Sequence, residues 1–600
     1  MEVKVNDVQE DRLADFTTDR RVLALSLLAC CAGAVSAVVA LLLIKLIALI
    51  TNIAFFHTIS TRTTSPAHAA VSIWTVLNPV IGGLIIGLMA RYGSSKIRGH
   101  GIPEALEAIL IGRSKIGPKV AVLKPLSSAI SIGTGGPFGA EGPIIMTGGA
   151  LGSLLAQFFH LSSAERKTLL VAGASGGMAA VFGTPVAAVL LAVELLLFEW
   201  KPRSFIPVAL ASATAAALRV PLMGGGALFP VSPHAALGIE GLLIAFGVGI
   251  TAGLASGALT NLVYGFEDAF HRLPIHWAWW PAIGGIFVGI GGVIDPRVLG
   301  VGYETIHQLL RGEILGTALL GLIIGKSLVW SIALGSGTSG GVLAPLLMMG
   351  GALGALEAHW LPIGSPGLWA VISMAAMMGG TMRSPFASLV FTLELTRDLN
   401  LLPALLLGCI ASEMVTVLLL RRSILTEKVA RRGHHITREY SVDPFEIHRV
   451  GEIMTRDVFT LPASMRTSEM IAEMSKPGGR LARKQGACLL DENGKLAGIV
   501  TQSDILRVLE RRQESDPMLI EVGCDDLVKI HADDLLRDAV VKMLENDIGR
   551  LPVVDREDKT KLVGYVSRKH LMAARQRWYE EEHVRERIRR FPRMSPQQNI

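Results

Sequence analysis

The feature that most constrains this chain is a set of long apolar runs, at 22–56, 71–90, 168–198, 236–264 and 401–420. Each reaches or exceeds the roughly 20 residues that carry a helix across a bilayer core, so several membrane spans are expected. A hydrophobic content of 50% with 18% charged residues is unlike that of an ordinary soluble enzyme. From about residue 426 the sequence turns charged and alternating, so a soluble module of about 175 residues follows a membrane domain of about 400. The boundary falls near Arg431, Arg432 and Gly433.

Acids and bases fill the first 21 residues, and the run behind them is too long for a signal-peptide core, which predicts a retained span. Five cysteines show no disulfide or metal spacing; Cys30, Cys31, Cys409, Cys488 and Cys524 are expected to act as small buried hydrophobes. Net charge is +6, and Arg91, Lys96, Arg98, Arg113, Lys115, Arg421, Arg422, Arg431 and Arg432 sit beside apolar runs. That placement suits positive-inside anchoring in membrane lipid rather than nucleic-acid binding.

The sequence repeats itself. Gly133-Thr-Gly-Gly-Pro-Phe-Gly-Ala-Glu-Gly-Pro143 returns as Gly335-Ser-Gly-Thr-Ser-Gly-Gly-Val-Leu-Ala-Pro345, and from 143 to 345 the offset is 202. Thr147-Gly-Gly-Ala-Leu-Gly152 returns as Met349-Gly-Gly-Ala-Leu-Gly354, and Thr184-Pro185 and Glu194 return as Ser384-Pro385 and Glu394. Upstream, Gly99-His-Gly101 faces Gly300-Val-Gly302. Repeats of this kind in membranes commonly meet near the midplane, where broken helices aim their N-termini at an anionic substrate. Glycine permits close backbone approach, and Pro143 and Pro345 favour a first helical turn. Unpaired amides there bind an anion without the tight grip of a fixed cation. The competing explanation, that glycines merely let helices pack, weakens when several such segments recur at nearly one offset, 200 to 202.

Three segments, Gly99-His-Gly-Ile-Pro-Glu104, Gly139-Ala-Glu-Gly-Pro143 and Gly341-Val-Leu-Ala-Pro345, resemble the anion-site signatures of the CLC chloride channels and proton/chloride antiporters. The resemblance covers nearly the whole chain. It implies two inverted repeats, a homodimer with one pore per subunit, and backbone amides of Ile102, Val342 and Leu343 facing a central chloride or similar anion. His100, Gly101, Ala140 and Gly142 complete the expected lining. It further implies that Glu141 is a gate that competes with the anion and swings away when protonated or displaced. Physics singles out Glu141 as well, since an ionisable group between glycine-rich helix starts in a membrane is expensive. For Glu194 a packing or capping role and a functional one stand level, because Glu394 is its repeat mate. Glu104 reads as an ordinary helix-start acid.

The chain departs from the family pattern at three points. His100 replaces a serine that offers its hydroxyl to the anion; an imidazole N–H can donate instead, or the ring can simply line a vestibule. Leu425, in Ser423-Ile-Leu-Thr426, stands where a tyrosine usually completes the site. Leu195 occupies the position of the inner proton-relay glutamate of the antiporters, which implies a passive channel, or a carrier relaying protons through His100 or Glu194.

The tail repeats too. Asp457-Val-Phe-Thr-Leu461 pairs with Asp526-Leu-Val-Lys-Ile530, and Gly498-Ile-Val-Thr-Gln-Ser-Asp504 with Gly564-Tyr-Val-Ser-Arg-Lys-His570. Short β-runs alternate with amphipathic helices at 467–475 and 535–545. This resembles a CBS pair, a module that often binds adenine nucleotides. In that family Thr501 would meet phosphate and Asp504 the ribose; the second copy keeps Ser567 but has His570 in place of the acid. One site for ATP, ADP or AMP and a purely dimerising tail are equal alternatives, and no cofactor is required for transport.

The expected architecture is an α-helical polytopic membrane protein of two inverted repeats with broken helices, plus a cytoplasmic α/β CBS pair. Its divisions are a cytoplasmic segment (1–21), a CLC-like transmembrane domain (22–425), a linker (426–448), CBS domains at 449–512 and 519–578, and a charged tail (579–600). The cell inner (plasma) membrane is the expected location. A CBS-gated divalent-cation transporter would want converging carboxylates, and an enzyme would want a nucleophile, base or metal cluster; neither pattern is present in the sequence.

Overall fold

The structure, a computed structural model, describes residues 20–110, 112, 114–433, 445, 448–474, 486–510 and 516–583. Most of the expected N-terminal segment, Arg113, and the parts of the linker and charged tail at 434–444, 446–447 and 584–600 lie outside the described residues. Two compact units meet in sequence at Glu439 and Tyr440.

The first unit is helical. In order it contains α1 (Arg21–Phe56), α2 (Ile73–Tyr92), α3 (Ile102–Leu110), α4 (Pro118–Gly133), α5 (Glu141–Gln157), α6 (Ser163–Phe182), α7 (Pro185–Leu191) running into a π-helical turn (Ala192–Leu197), and α8 (Pro202–Met223). The second repeat follows as α9 (Ile239–His271), α10 (Trp280–Ile294), α11 (Tyr303–Leu310), α12 (Thr317–Gly335), α13 (Leu343–Glu357), α14 (Pro366–Met382), α15 (Pro385–Thr396), α16 (Leu402–Leu419) and α17 (Ile424–Arg431). Seven helical stretches among the described residues are long and apolar enough to cross a membrane. By contrast α3, α7, α11 and α15, at 9, 7, 8 and 12 residues, are too short to span at 1.5 Å per residue.

The run at 168–198 does not form the single span its hydropathy predicts. Gly183 at φ 71° closes α6 and Pro185 opens α7, so the chain breaks where a left-handed residue meets a proline. Arg383 at φ 54° and Pro385 repeat the break between α14 and α15.

Packing follows the repeat. Helix α5 lies on α6 as α13 lies on α14, and α1 contacts α6 and α8 as α9 contacts α14 and α16. Where the halves meet, residues touch their own mates: Gly139 N–H donates to Gly341 O at 3.3 Å and Gly341 N–H to Gly139 O at 2.8 Å. A residue paired reciprocally with its own mate is what a local two-fold axis requires. The same reciprocity joins α7 to α15. The Glu394 carboxylate accepts from Val186 N–H (3.0 Å) and Ala187 N–H (2.8 Å), and Glu194 accepts from Ala387 N–H (3.0 Å).

The second unit holds two three-stranded sheets of identical plan. In the first, β1 (Thr460–Pro462) runs parallel to β2 (Gly486–Leu490), which pairs antiparallel with β3 (Leu496–Thr501). In the second, β4 (Ile530–His531), β5 (Arg550–Val554) and β6 (Leu562–Ser567) do the same. Helices α18 (Val450–Ile453), α19 (Thr467–Met474), α20 (Gln502–Glu510), α21 (Leu519–Val522), α22 (Leu536–Glu545) and α23 (Arg568–His583) complete it. The copies exchange their leading segments: Val450 is buried with Ile530 and Leu536 of the second sheet's core, and Leu519 with Val500 of the first.

Of the five cysteines, Cys409 and Cys488 are buried as expected, whereas Cys31 and Cys524 are exposed. Helix α1 shows an outer face, and Cys524 sits on the segment following α21.

Candidate functional site

The site forms where α3, α5 and α13 begin. Glu141 is the first residue of α5 and is fully buried. Its Oε1 accepts from the N–H of Leu343 at 2.5 Å and of Ala344 at 3.3 Å, in the first turn of α13. The partners carry the repeat offset, so the acid of one half rests on the helix start of its own mate. Gly139 and Gly341 cradle it, since a Cβ on either would collide with the carboxylate. Oε2 is buried with no hydrogen-bond partner among the described residues.

The third loop closes against these two. Gly101, at φ 90°, lies so close to Gly142 that a side chain on it would strike the Gly142 carbonyl. Gly101 N–H is held by Glu104 Oε2 at 2.9 Å, which gives Glu104 the capping role its position predicts. Glu104 is itself tied to Lys428 Nζ at 3.4 Å and to Arg432 at 3.1 Å. His100 is buried and its Nδ1 has no partner among the described residues. Leu425 is buried on α17, which packs against α3.

Of the predicted lining, the carboxylate engages Leu343 and not Val342. Ala344 N–H, absent from the sequence expectation, is its second partner. Val342 is the residue preceding α13, buried beside them. Leu195 is buried in the π-helical turn, and Glu194 caps α15 from the same turn.

Two buried lysines escape a reading of the sequence. Lys124 Nζ donates to Ile97 O (2.8 Å) and Gly99 O (2.7 Å), and Lys326 Nζ donates to Val298 O (2.8 Å) and Gly300 O (3.1 Å). Each ammonium thus ties down the loop that leads into α3 or α11. Their offset, 124 to 326, is again 202, and the repeat was the signal that could have found them.

The chain matches the family model for voltage-gated chloride channels over residues 82–417, more than half its length. It belongs to that family. The CBS-domain model matches twice, at 450–511 and 520–577. A putative chloride channel protein, ClcB-like, from Ralstonia nicotianae is 29% identical over 347 residues, covering 56% of this chain and 80% of that protein. The voltage-gated ClC-type chloride channel ClcB of Escherichia coli O81 is 28% identical over 377 residues, covering 61% and 90%. Among solved structures, a slow cyanobacterial Cl−/H+ antiporter shares the fold at TM-score 0.59 and 21% identity, over 69% of this chain and 98% of that one. A eukaryotic CLC transporter shares it at TM-score 0.57 and 19% identity, over 92% and 98%. The chain is thus a polytopic CLC-family membrane protein with a CBS pair.

In that pair, Thr501 and Asp504 face each other at the start of α20. Thr501 N–H and Oγ1 donate to Asp504 Oδ2 at 2.9 and 2.6 Å, and Arg507 approaches Oδ1 at 3.2 Å. The second copy substitutes His570, whose Nδ1 accepts from Ser567 N–H at 3.3 Å. Burial pushes the Cys488 thiol and the Tyr565 hydroxyl up to about 12, so neither is charged near neutrality in the apolar cluster they share.

Proposed function

We propose that the protein passes chloride or a similar small anion through one pore per subunit of a homodimer, gated by Glu141. The observation that carries this is the carboxylate seated on the Leu343 and Ala344 amides. A negative group held by unpaired amides at a helix start is a tethered version of the anion such a site would bind. Ile102, Val342, Gly101, Ala140 and Gly142 line the place it vacates, with His100 and Leu425 replacing the polar groups usual in the family. The N-terminus and the CBS pair lie on the cytoplasmic side of the cell's inner membrane.

Conduction is passive. A proton relay needs titratable groups in sequence through a low-dielectric region. Leu195 cannot take part, and Glu194 is committed to Ala387 N–H. The rival reading, coupled proton/chloride exchange, draws on structural relatives described as proton antiporters. In liposomes with a chloride gradient, the expected reversal potential follows chloride alone. Sustained uphill proton movement driven by chloride, and lost on Glu141→Ala, would establish exchange instead.

The CBS pair binds an adenine nucleotide at its first copy, where Thr501 and Asp504 meet phosphate and ribose and Ser567 lies in the altered copy. Asp504→Ala is expected to weaken binding about ten-fold, the loss of a charge-assisted pair of hydrogen bonds, while anion flux persists. Calorimetry with ATP, ADP and AMP on the full-length protein measures it. No binding to the parent would reduce the tail to a dimerising module.

A further inference from the structure

Tyr303 opens α11 and stands in the second repeat where Ile102 stands in the first, behind Gly302 (φ 82°) as Ile102 stands behind Gly101. The first repeat offers an apolar side chain at this position; the second offers a phenol. Its ring is held edge-on to the fully buried Phe229, with centroids 5.7 Å apart and planes at 72°. Its carbonyl faces Nδ1 of His307 at 2.8 Å, and Nε2 of the same ring faces Leu228 O at 2.9 Å. So anchored, the side chain has little freedom to seek another partner. Yet its hydroxyl is buried and unpaired among the described residues. A buried hydroxyl without a partner is costly, and such a group is expected to be satisfied in some state of the protein. Helix α11 packs against α13, whose first turn holds the Glu141 carboxylate, and Oε2 of that carboxylate is equally unpaired among the described residues.

We propose that Tyr303 is a positioning residue for the gate, its hydroxyl being the donor that receives the Glu141 carboxylate once it leaves the Leu343 and Ala344 amides. This rests on the gating role of Glu141. The carboxylate exchanges two amide donors for one phenolic donor, a short and strong pairing, so the displaced gate is held without first being protonated. Two states of one side chain are then each stabilised by the protein, as a bistable element requires.

The test is a double-mutant cycle of Tyr303→Phe and Glu141→Gln, with anion flux measured in liposomes across a pH series. Phe keeps the ring against Phe229 and removes only the donor. In the parent, Tyr303→Phe is expected to lower flux about ten-fold, the cost of one charge-assisted bond, and to make the remaining flux depend more steeply on acid. In the Glu141→Gln background the same change is expected to do little, because the ionised gate it serves is gone. Equal falls in both backgrounds, or no fall in the parent, would overturn the assignment. Glu141→Gln alone leaving flux and its pH dependence at parental values would instead remove the gate itself, a result visible without Tyr303.

Discussion

Glu141→Gln is expected to raise anion flux roughly ten-fold or more and to abolish its rise with acid. In the proposed gating the carboxylate blocks the site as a tethered anion would, with Oε1 on two amides of α13. Hydrogen bonds to a charged group contribute about 1.5–3 kcal/mol each, against about 1 kcal/mol for neutral pairs. Removing the charge while keeping the shape therefore forfeits about 1–2 kcal/mol of self-inhibition, and each 1.36 kcal/mol is a factor of ten. The sign with pH follows: protonation neutralises the parental gate and frees the amides, so parental flux climbs as pH falls, whereas the glutamine is already neutral. Flux assays on purified protein in liposomes over a pH series decide it. Unchanged flux with an unchanged pH profile would show that the carboxylate fills a structural place and not the anion's.

Much of this arrangement is legible in the sequence because the repeat is. Gly139 and Gly341 sit at equal places in their motifs, and the structure pairs them reciprocally. What escapes is whatever depends on where a side chain folds back. An apolar run does not reveal the stop that Gly183 and Pro185 impose inside 168–198, since hydropathy averages over a single left-handed residue. A lysine in an apolar helix announces a cost but not its carbonyl partners 25 to 28 residues away in sequence, and Lys124 and Lys326 become readable only as mates. Ala344 is missed because a motif names residues while the site is built from amides, and a helix start offers several. Glu194 divides evenly between roles on sequence alone. Its bond to Ala387 N–H and the matching bonds of Glu394 show a pair of reciprocal caps. The exchanged leading segments of the tail leave no local trace, since periodicity reports a strand or helix and not the sheet it joins.

Lys124→Met is expected to cost at least ten-fold in flux, with a smaller effect on thermal stability. Two opposing terms set the balance. An ammonium buried at 0% exposure bears a desolvation cost of several kcal/mol, and methionine relieves it with a chain of similar length. Against that, the carbonyls of Ile97 and Gly99 lose their donor in a place closed to water, at about 1–3 kcal/mol each. For the fold as a whole these terms largely offset. For the loop they do not, because the carbonyls belong to the stretch that carries His100, Gly101 and Ile102 against Gly142. A loop freed of its tether no longer presents its amide at a fixed point, and an anion site made of dipoles depends on position more than one made of charge. Lys124→Arg is not expected to rescue, since a planar guanidinium is larger than an ammonium and needs a different arrangement of acceptors in a fully packed site. Lys326→Met loosens the mate loop at Val298 and Gly300, and its defect is expected to appear in the response to Glu141→Gln, because that loop leads to Tyr303 and not to His100. Flux per reconstituted protein, read beside thermal unfolding in detergent, separates the two effects. A Lys124→Met protein that unfolds early yet conducts normally while folded would reverse the assignment and make the lysine a stabiliser of the fold alone.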